Sequence, residues 1–349
     1  MIDIDLGALV GREDRKPVSN ETKEFLANKT YLVTGGGGSI GSELVRQLAE
    51  LSGKVYILDR EETALLKAEM SLGGVGLLED DRLILADIRD RMRMEKIMNT
   101  IKPDVVFHAA AHKHLTLLQR YPAEAVKTNV FGTMSVLSAA ARAEVKTFIN
   151  VSTDKAADPS SVLGASKLIA EMLTQDLRGS MNVASVRFGN VLGSAGSLIP
   201  IIATQLEQGY PLTVTDAQAE RYFMTISEAA SLIIEASRMA RDGQAFVLRM
   251  GQPVNIYEFV KKYAAMYGKP DAEIILTGLR PGEKRSEILF SETENLTVTD
   301  NPGIMASEPR HLVSGFDAML AKLEADVFAA HDEALMADLR ALVGENGTL

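Results

Sequence analysis

Eight residues, Thr34-Gly35-Gly36-Gly37-Gly38-Ser39-Ile40-Gly41, constrain this chain more than any other stretch. They join a β-branched, apolar run, Thr30–Thr34, to a stretch with helical spacing, Ile40–Leu51. Glycines let the backbone turn sharply at such a junction and let another backbone or a ligand come close. The free amides at the start of the following helix, with its positive dipole end, favour a pyrophosphate. A tight strand-to-helix turn without a ligand would use the same residues, so the surrounding pattern has to decide.

That pattern is regular. Apolar runs recur at Thr30–Thr34, Val55–Leu58, Leu83–Ile88, Val105–Ala110, Thr147–Ser152 and Val183–Phe188. Between them lie helically spaced stretches at Ile40–Leu51, Glu61–Met70, Arg91–Ile101, Ala123–Ala141 and Val162–Leu177, each long enough to cross over a parallel sheet. The fold class is α/β, a Rossmann-type doubly wound parallel sheet. After Phe188 the alternation loosens into a Gly/Ser-rich loop. Strand candidates at Leu212–Thr215, Ala245–Met250 and Glu273–Thr277 then mix with helical patterns at Ile226–Met239 and Ile256–Met266. This predicts a smaller mixed α/β C-terminal substrate lobe. The expected divisions are an N-terminal extension over 1–27, a dinucleotide-binding domain over 28–190, a lobe over 191–315 with some segments returning to the first domain, and a helical tail over 316–349.

Composition removes several classes of function. A formal net charge of -10, with no basic stripe interleaved with aromatics, disfavours nucleic acid as a partner. The chain has no cysteine, which excludes disulfides, thiolate catalysis and cysteine metal sites. Met1 to Lys16 mixes acidic and basic residues without an apolar core, so it does not read as a signal peptide, and nothing reads as a membrane span. A cytoplasmic protein is the resulting expectation.

Several side chains carry candidate chemistry. Asp59 closes the second apolar run, where a carboxylate accepts adenosine ribose hydroxyls. Its charge would repel a 2′-phosphate and favours NAD, whereas Arg60 beside it would pair with that phosphate and leaves NADP open. Asp87 and Ile88 close the third run, either beside an adenine or, for Asp87, as an N-cap before Arg91. His108, His112 and His114 span a strand end and a loop with no further ligand nearby in sequence, so a metal is not expected and His108 reads as a satisfied core histidine. Ser152-Thr153-Asp154-Lys155 places a hydroxyl, a carboxylate and an amine just beyond the fifth run, followed by Leu163-Gly164-Ala165-Ser166-Lys167. A solvated turn after a strand is the plain alternative for Asp154-Lys155.

Taken together, Thr34 to Gly41, His108 to His114, Asn129-Val130-Phe131-Gly132-Thr133, Ser152 to Lys155, Arg187 to Ser194, Arg221 to Thr225 and Arg280-Pro281-Gly282-Glu283-Lys284 resemble the UDP-N-acetylglucosamine 4,6-dehydratases of the extended short-chain dehydrogenase/reductase superfamily. The blocks run in order from about Gly7 to Phe290, and the 35, 38, 41 glycine spacing matches the superfamily's version of the turn. Some members carry a membrane region ahead of the catalytic part, and this chain looks like the soluble part alone. The resemblance implies an NAD (or NADP) cofactor on Gly35, Gly38, Ser39, Ile40, Gly41, Asp59, Arg60, Asp87, Ile88, Ala109, Ala110, Ala111, Asn129 and Lys167. It implies a UDP-sugar on Lys113, His114, Asn190, Arg221, Arg280 and Glu283, with Arg280 suited to a diphosphate and Glu283 to ribose hydroxyls. It also implies a homo-oligomer, a dimer or higher, formed through the faces of Ala123–Ala141 and Val162–Leu177.

The implied reaction oxidises C4 of the sugar, eliminates water across C5 and C6 and returns the hydride to C6. Lys155 would take the C5 proton, Asp154 would protonate the C6 oxygen, Thr153 would contact the C4 hydroxyl and Lys167 would bind the nicotinamide ribose. For Lys155 to act, its pKa should be brought down by burial or by a neighbouring cation such as Lys167. Two departures stand out. Leu163 replaces the superfamily's tyrosine four residues before the lysine, leaving the C4 hydroxyl without an obvious base, and Ala195 stands where a larger polar residue is usual.

Overall fold

The computed structural model describes residues 6–11, 18–310, 312–329 and 332–344, so much of the Met1–Lys16 segment and the last residues of the expected tail lie outside the described residues. Six strands alternate with helices along the first half: β1 Thr30–Thr34, β2 Lys54–Asp59, β3 Leu83–Leu85, β4 Val105–His108, β5 Thr147–Val151 and β6 Asn182–Arg187. They lie in the order β3-β2-β1-β4-β5-β6 and pair in parallel throughout. The strand order reverses between β1 and β4, which opens a crevice at their carboxyl ends. Beyond β6 the sheet continues with Asp242–Leu248, parallel to it, and then with Ile304–Ser307 and Leu296–Val298, both antiparallel, to make nine strands.

Burial on both faces explains why these strands read as continuous apolar runs rather than alternating ones. In β1, Tyr31 and Val33 join the core on one side of the sheet and Leu32 joins the core on the other. A third apolar cluster, built around Ile202, Leu206, Phe223, Phe259 and Val260, sits among the elements between 192 and 274. There the chain adds helices Leu198–Gln208, Ile226–Met239 and Ile256–Met266 and short paired strands, among them Asn190–Val191 with Phe223–Met224 and Glu220–Arg221 with Val254–Asn255.

Several expected boundaries shift. The third strand ends at Leu85, so Asp87 and Ile88 lie in the loop after it, and the helix cap before Arg91 is Asp90, whose carboxylate accepts from Arg93 N at 2.9 Å. The stretch Ala123–Ala141 is not one uniform helix: Pro122–Ala125 is α-helical, Val126–Gly132 is wound as a π-helix, and Thr133–Arg142 is α-helical again. Helix Val162–Asp176 is buried along almost its whole length, and helices Phe316–Ala329 and Asp332–Val343 share its core. Helix Asp332–Val343 packs against Val162–Asp176 and Pro122–Ala125. Among the described residues no helix is long and apolar enough to cross a membrane.

Candidate active site

The glycine turn lies at the crevice where the strand order reverses. At Gly35, φ is 67°, and a Cβ would fall 2.7 Å from the Ala110 backbone, so a side chain is excluded on both counts. A Cβ on Gly41 would fall 2.0 Å from the Gly35 carbonyl, which makes the first helical turn equally bare. The turn is braced by Asp59: its Oδ2 accepts from Gly37 N at 3.0 Å and its Oδ1 from Glu61 N at 3.1 Å. Sequence reasoning assigned Asp59 to a ribose and missed this bracing. Helix Ser39–Ala49 starts behind Gly38, which offers no side-chain cap, so its first amides face the crevice without a protein oxygen from that cap. Ser39 Oγ accepts from Ala195 N at 3.0 Å, tying the 193–197 loop to this helix start, and Ile40 packs against the core.

In the loop after β3, Asp87 accepts from Arg89 through backbone and guanidinium, and its acidity follows: burial would raise its pKa, but Arg89 and, more distantly, Arg60 hold it below the usual range. On the other side of the crevice Ala109 N donates to the Thr34 carbonyl at 3.0 Å. His108 beneath it is fully enclosed, with Nδ1 2.7 Å from Thr34 Oγ1 and Nε2 2.9 Å from Thr133 Oγ1, and burial lowers its pKa to about 3. Asn129, in the π-helical turn, accepts from His112 N at 2.8 Å and donates to the His112 carbonyl at 3.1 Å and to Ser166 Oγ at 3.0 Å. Its side chain shapes the Ala109–Lys113 loop. Lys113 and His114 follow, both with pKa values lowered by burial, and the Gly196 backbone lies over the His114 imidazole.

The turn after strand β5 carries Thr153, Asp154 and Lys155. Asp154 N donates to the Phe188 carbonyl at 3.0 Å, which draws the turn after β5 inward and leaves Asp154 only 1% exposed. The solvated-turn alternative therefore fails. Asp154 Oδ1 accepts from Thr153 Oγ1 at 2.9 Å and from Lys155 Nζ at 3.0 Å, while its Oδ2 is buried without a hydrogen-bond partner among the described residues. Lys155 Nζ also lies 3.5 Å from Glu287 Oε1. Burial alone would lower the Lys155 pKa, but the Asp154 and Glu287 carboxylates outweigh it and raise the pKa above the ordinary lysine value. The expectation of a lowered Lys155 is overturned, and the cation that opposes the rise is Arg221, not Lys167. It is Lys167 whose pKa falls, by burial, to about 8; its Nζ donates to the Val151 carbonyl at 2.5 Å. Leu163, one helical turn before it, is packed into the core.

A loop from the C-terminal part closes the site. Arg221, 7% exposed, donates to the carbonyls of Glu220, Lys284 and Arg285 and pairs with Glu283 at 3.1 Å, so it clamps this loop. Glu283 also accepts from Thr215 Oγ1 at 3.2 Å and from Arg280 N at 3.2 Å, and the exposed Arg280 guanidinium reaches Thr116 Oγ1 at 3.5 Å. Asn190 N donates to the Tyr222 carbonyl at 2.9 Å, which sets that residue at the lip between β6 and the loop. Glu287 was missed by sequence reasoning because nothing in its spacing marks it.

Comparison with known proteins fits this geometry. Residues 31–309 match the family described as polysaccharide biosynthesis protein. The chain belongs to that family, within the extended short-chain dehydrogenases/reductases. The capsular polysaccharide biosynthesis protein CapD of Staphylococcus aureus is 41% identical over 83% of this chain and 50% of its own length, and the probable polysaccharide biosynthesis protein EpsC of Bacillus subtilis is 42% identical over 84% and 50%. The chain thus spans about half the length of these curated relatives. A UDP-glucose 4-epimerase of Rickettsia canadensis is 32% identical over 79% of this chain and 82% of its own length. Among solved structures, Pen from Bacillus thuringiensis aligns with a TM-score of 0.74 at 32% identity, covering 81% of this chain and 88% of that one. DesIV of Streptomyces venezuelae, a dTDP-glucose 4,6-dehydratase solved with NAD, aligns at 0.65 and 24% identity over 74% of this chain and 88% of that one, a likeness of fold.

Proposed function

We propose that this chain is a nucleotide-sugar 4,6-dehydratase that converts UDP-N-acetylglucosamine to a UDP-4-keto-6-deoxy sugar with a bound NAD. The observation that carries the reading is the buried Asp154–Lys155 pair at the end of β5, with one Asp154 oxygen left unpartnered. A structural ion pair would satisfy that oxygen. A group that must hand a proton to substrate keeps one free.

The bare turn at Gly35 and Gly41 supports the cofactor, since it leaves room for a pyrophosphate at the start of helix Ser39–Ala49. Ser39, Ile40, Asp59, Ala109 to Ala111 and Lys167 would flank it, and Arg60 beside Asp87 keeps NADP as the alternative. A bound nicotinamide would take the C4 hydride and give it back at C6. The protein's part is proton management. The raised Lys155 pKa makes the ammonium the resting form. When its proton passes to Asp154 across their hydrogen bond, Lys155 becomes a neutral amine able to take the C5 proton, which the C4 ketone makes acidic, and Asp154 becomes the acid that releases the C6 oxygen as water. Thr153, bonded to Asp154 Oδ1, stands at the C4 hydroxyl. Arg280, Glu283, Lys113, His114 and Asn190 are placed around the UDP moiety in this reading, with Arg221 supporting the loop.

A 4-epimerase is the second reading, favoured by the Rickettsia relative. Leu163 counts against it, because an epimerase wants a proton-carrying side chain at that position. Incubation with UDP-N-acetylglucosamine in deuterated water, read by mass spectrometry and proton NMR, decides. Loss of one water with deuterium at C5 is expected; an epimerised sugar with neither change would establish the rival.

A further inference from the structure

Glu287 is the anomaly of its segment. Its neighbours Ser286 and Ile288 are exposed, yet Glu287 is turned inward and is 6% exposed. A carboxylate withdrawn from water costs free energy unless a cation meets it, and here the cation is Lys155, 3.5 Å away. Other groups hold the loop in place: Arg221 donates to the Arg285 carbonyl at 2.9 Å, the Lys284 ammonium bonds Asp158, and Ser160 Oγ donates to the Gly282 carbonyl at 3.3 Å. The loop is thus stapled to the turn that follows Lys155 without help from the Glu287 side chain.

We propose that Glu287 is a positioning residue for Lys155, holding the amine against Asp154 and stabilising the ammonium that Lys155 becomes during elimination. This inference rests on the dehydratase reading and deepens it. The cluster begins the step with a proton on Asp154, a neutral Lys155 and an ionised Glu287. Lys155 takes the C5 proton, the C5 electron pair forms the C5–C6 double bond, the C6–O bond breaks, and Asp154 gives its proton to the departing oxygen. The cluster ends as an ammonium between two carboxylates with its proton count unchanged. Positive charge grows on Nζ as the step proceeds, and Glu287 favours it in the manner of the carboxylate that orients and supports the base of a hydrolase triad. The groups facing Nζ are Asp154 from its own turn, Glu287 from the closing loop and Arg221 from the Glu220–Arg221 strand, the last opposing the other two.

The test compares wild type, Glu287→Gln, Glu287→Asp and Lys155→Ala as full chains, with UDP-N-acetylglucosamine as substrate across the pH range. Removing the anion weakens the hold of the coupled cluster on each of its protons, so both limbs of the pH–rate profile of Glu287→Gln should move to lower pH, by about one unit. Its kcat should fall about tenfold while KM stays near wild type. Glu287→Asp keeps the charge and should keep both limbs in place. NMR of protein labelled at the lysine ε-carbon gives a readout without turnover: the Lys155 signal, identified by its loss in Lys155→Ala, should titrate at lower pH in Glu287→Gln. If Glu287→Gln and Glu287→Asp lose rate alike with limbs and signal unmoved, Glu287 only packs and the inference is overturned. If Lys155→Ala still eliminates water, the reading beneath it fails, a result that the Glu287 variants cannot produce.

Discussion

Two buried clusters of charge stand at the carboxyl ends of neighbouring strands, and they are finished differently. At the end of β6, Arg187 is 1% exposed and grips Glu171 at 2.6 Å and Glu294 at 2.8 Å. Ser152, Arg310 and Ser291 N complete it, so that each oxygen of both carboxylates accepts at least one hydrogen bond. At the end of β5, Asp154, Lys155 and Glu287 are nearly as buried, but Asp154 Oδ2 has no partner and Glu287 stands off at 3.5 Å. In the first cluster every carboxylate oxygen is committed to the fold, joining β6, helix Val162–Asp176 and the 291–310 segment. The second keeps one in reserve. Burial and composition alone would not have told them apart; the completeness of the bonding does.

The contrast predicts opposite consequences for similar mutations. Asp154→Asn should reduce turnover by about 10²- to 10⁴-fold, the range for a lost general acid, while its unfolding midpoint in urea stays close to wild type. A loss of folding instead would erase the distinction. Arg187→Met strands two buried carboxylates and should destabilise by about 3–5 kcal/mol, seen as a lower urea midpoint, with substrate turnover of the remaining folded fraction largely kept. Surface pairs set the floor for both. Arg46 bridges a half-buried Glu43 at 2.6 Å and an exposed Glu50 at 2.7 Å on a helix surface, and Arg46→Ala should change stability by no more than about 1 kcal/mol. A larger loss there would mean that bonding geometry, rather than burial, dominates charge energetics in this protein.

Much of this was legible in the sequence. β1 runs Thr30–Thr34 as its apolar pattern says, and helices Ile226–Met239 and Ile256–Met266 keep their expected bounds, because burial on a fixed face writes a period into the chain. The glycine turn and the Ser152–Lys155 turn also stood out, since each sets unusual residue types in close succession at the end of an apolar run. Helix Leu198–Gln208 did not: it follows a Gly/Ser loop and carries Pro200 in its first turn, where the ring costs little but reads as a break. The antiparallel strands Leu296–Val298 and Ile304–Ser307 were too short to show a period. Glu287 and the partners of Arg187 come from distant segments, and a single sequence carries no local sign of such meetings. The direction of the Lys155 pKa was misjudged partly for the same reason: after Asp154, its neighbour in sequence, the carboxylate that raises it is Glu287, 132 positions away along the chain, at 287 against 155.

The π-helical turn at Val126–Gly132 has a consequence for how this chain tolerates change in length. A π-helical turn accommodates one residue more than an α-helical turn, so deleting a single residue there would let the backbone revert to ordinary α-helical bonding. The flanking helices would keep their relative facing, because the wide turn is what absorbs the extra residue, but residues inside the turn would shift by up to about 100°, the angular step of one residue. Asn129 could then no longer present its amide to both His112 and Ser166, and the loop that it holds would lose its anchor. A one-residue deletion in that turn is thus a local register error that reads out as a misplaced 109–113 loop, even though no residue of the glycine turn has been touched.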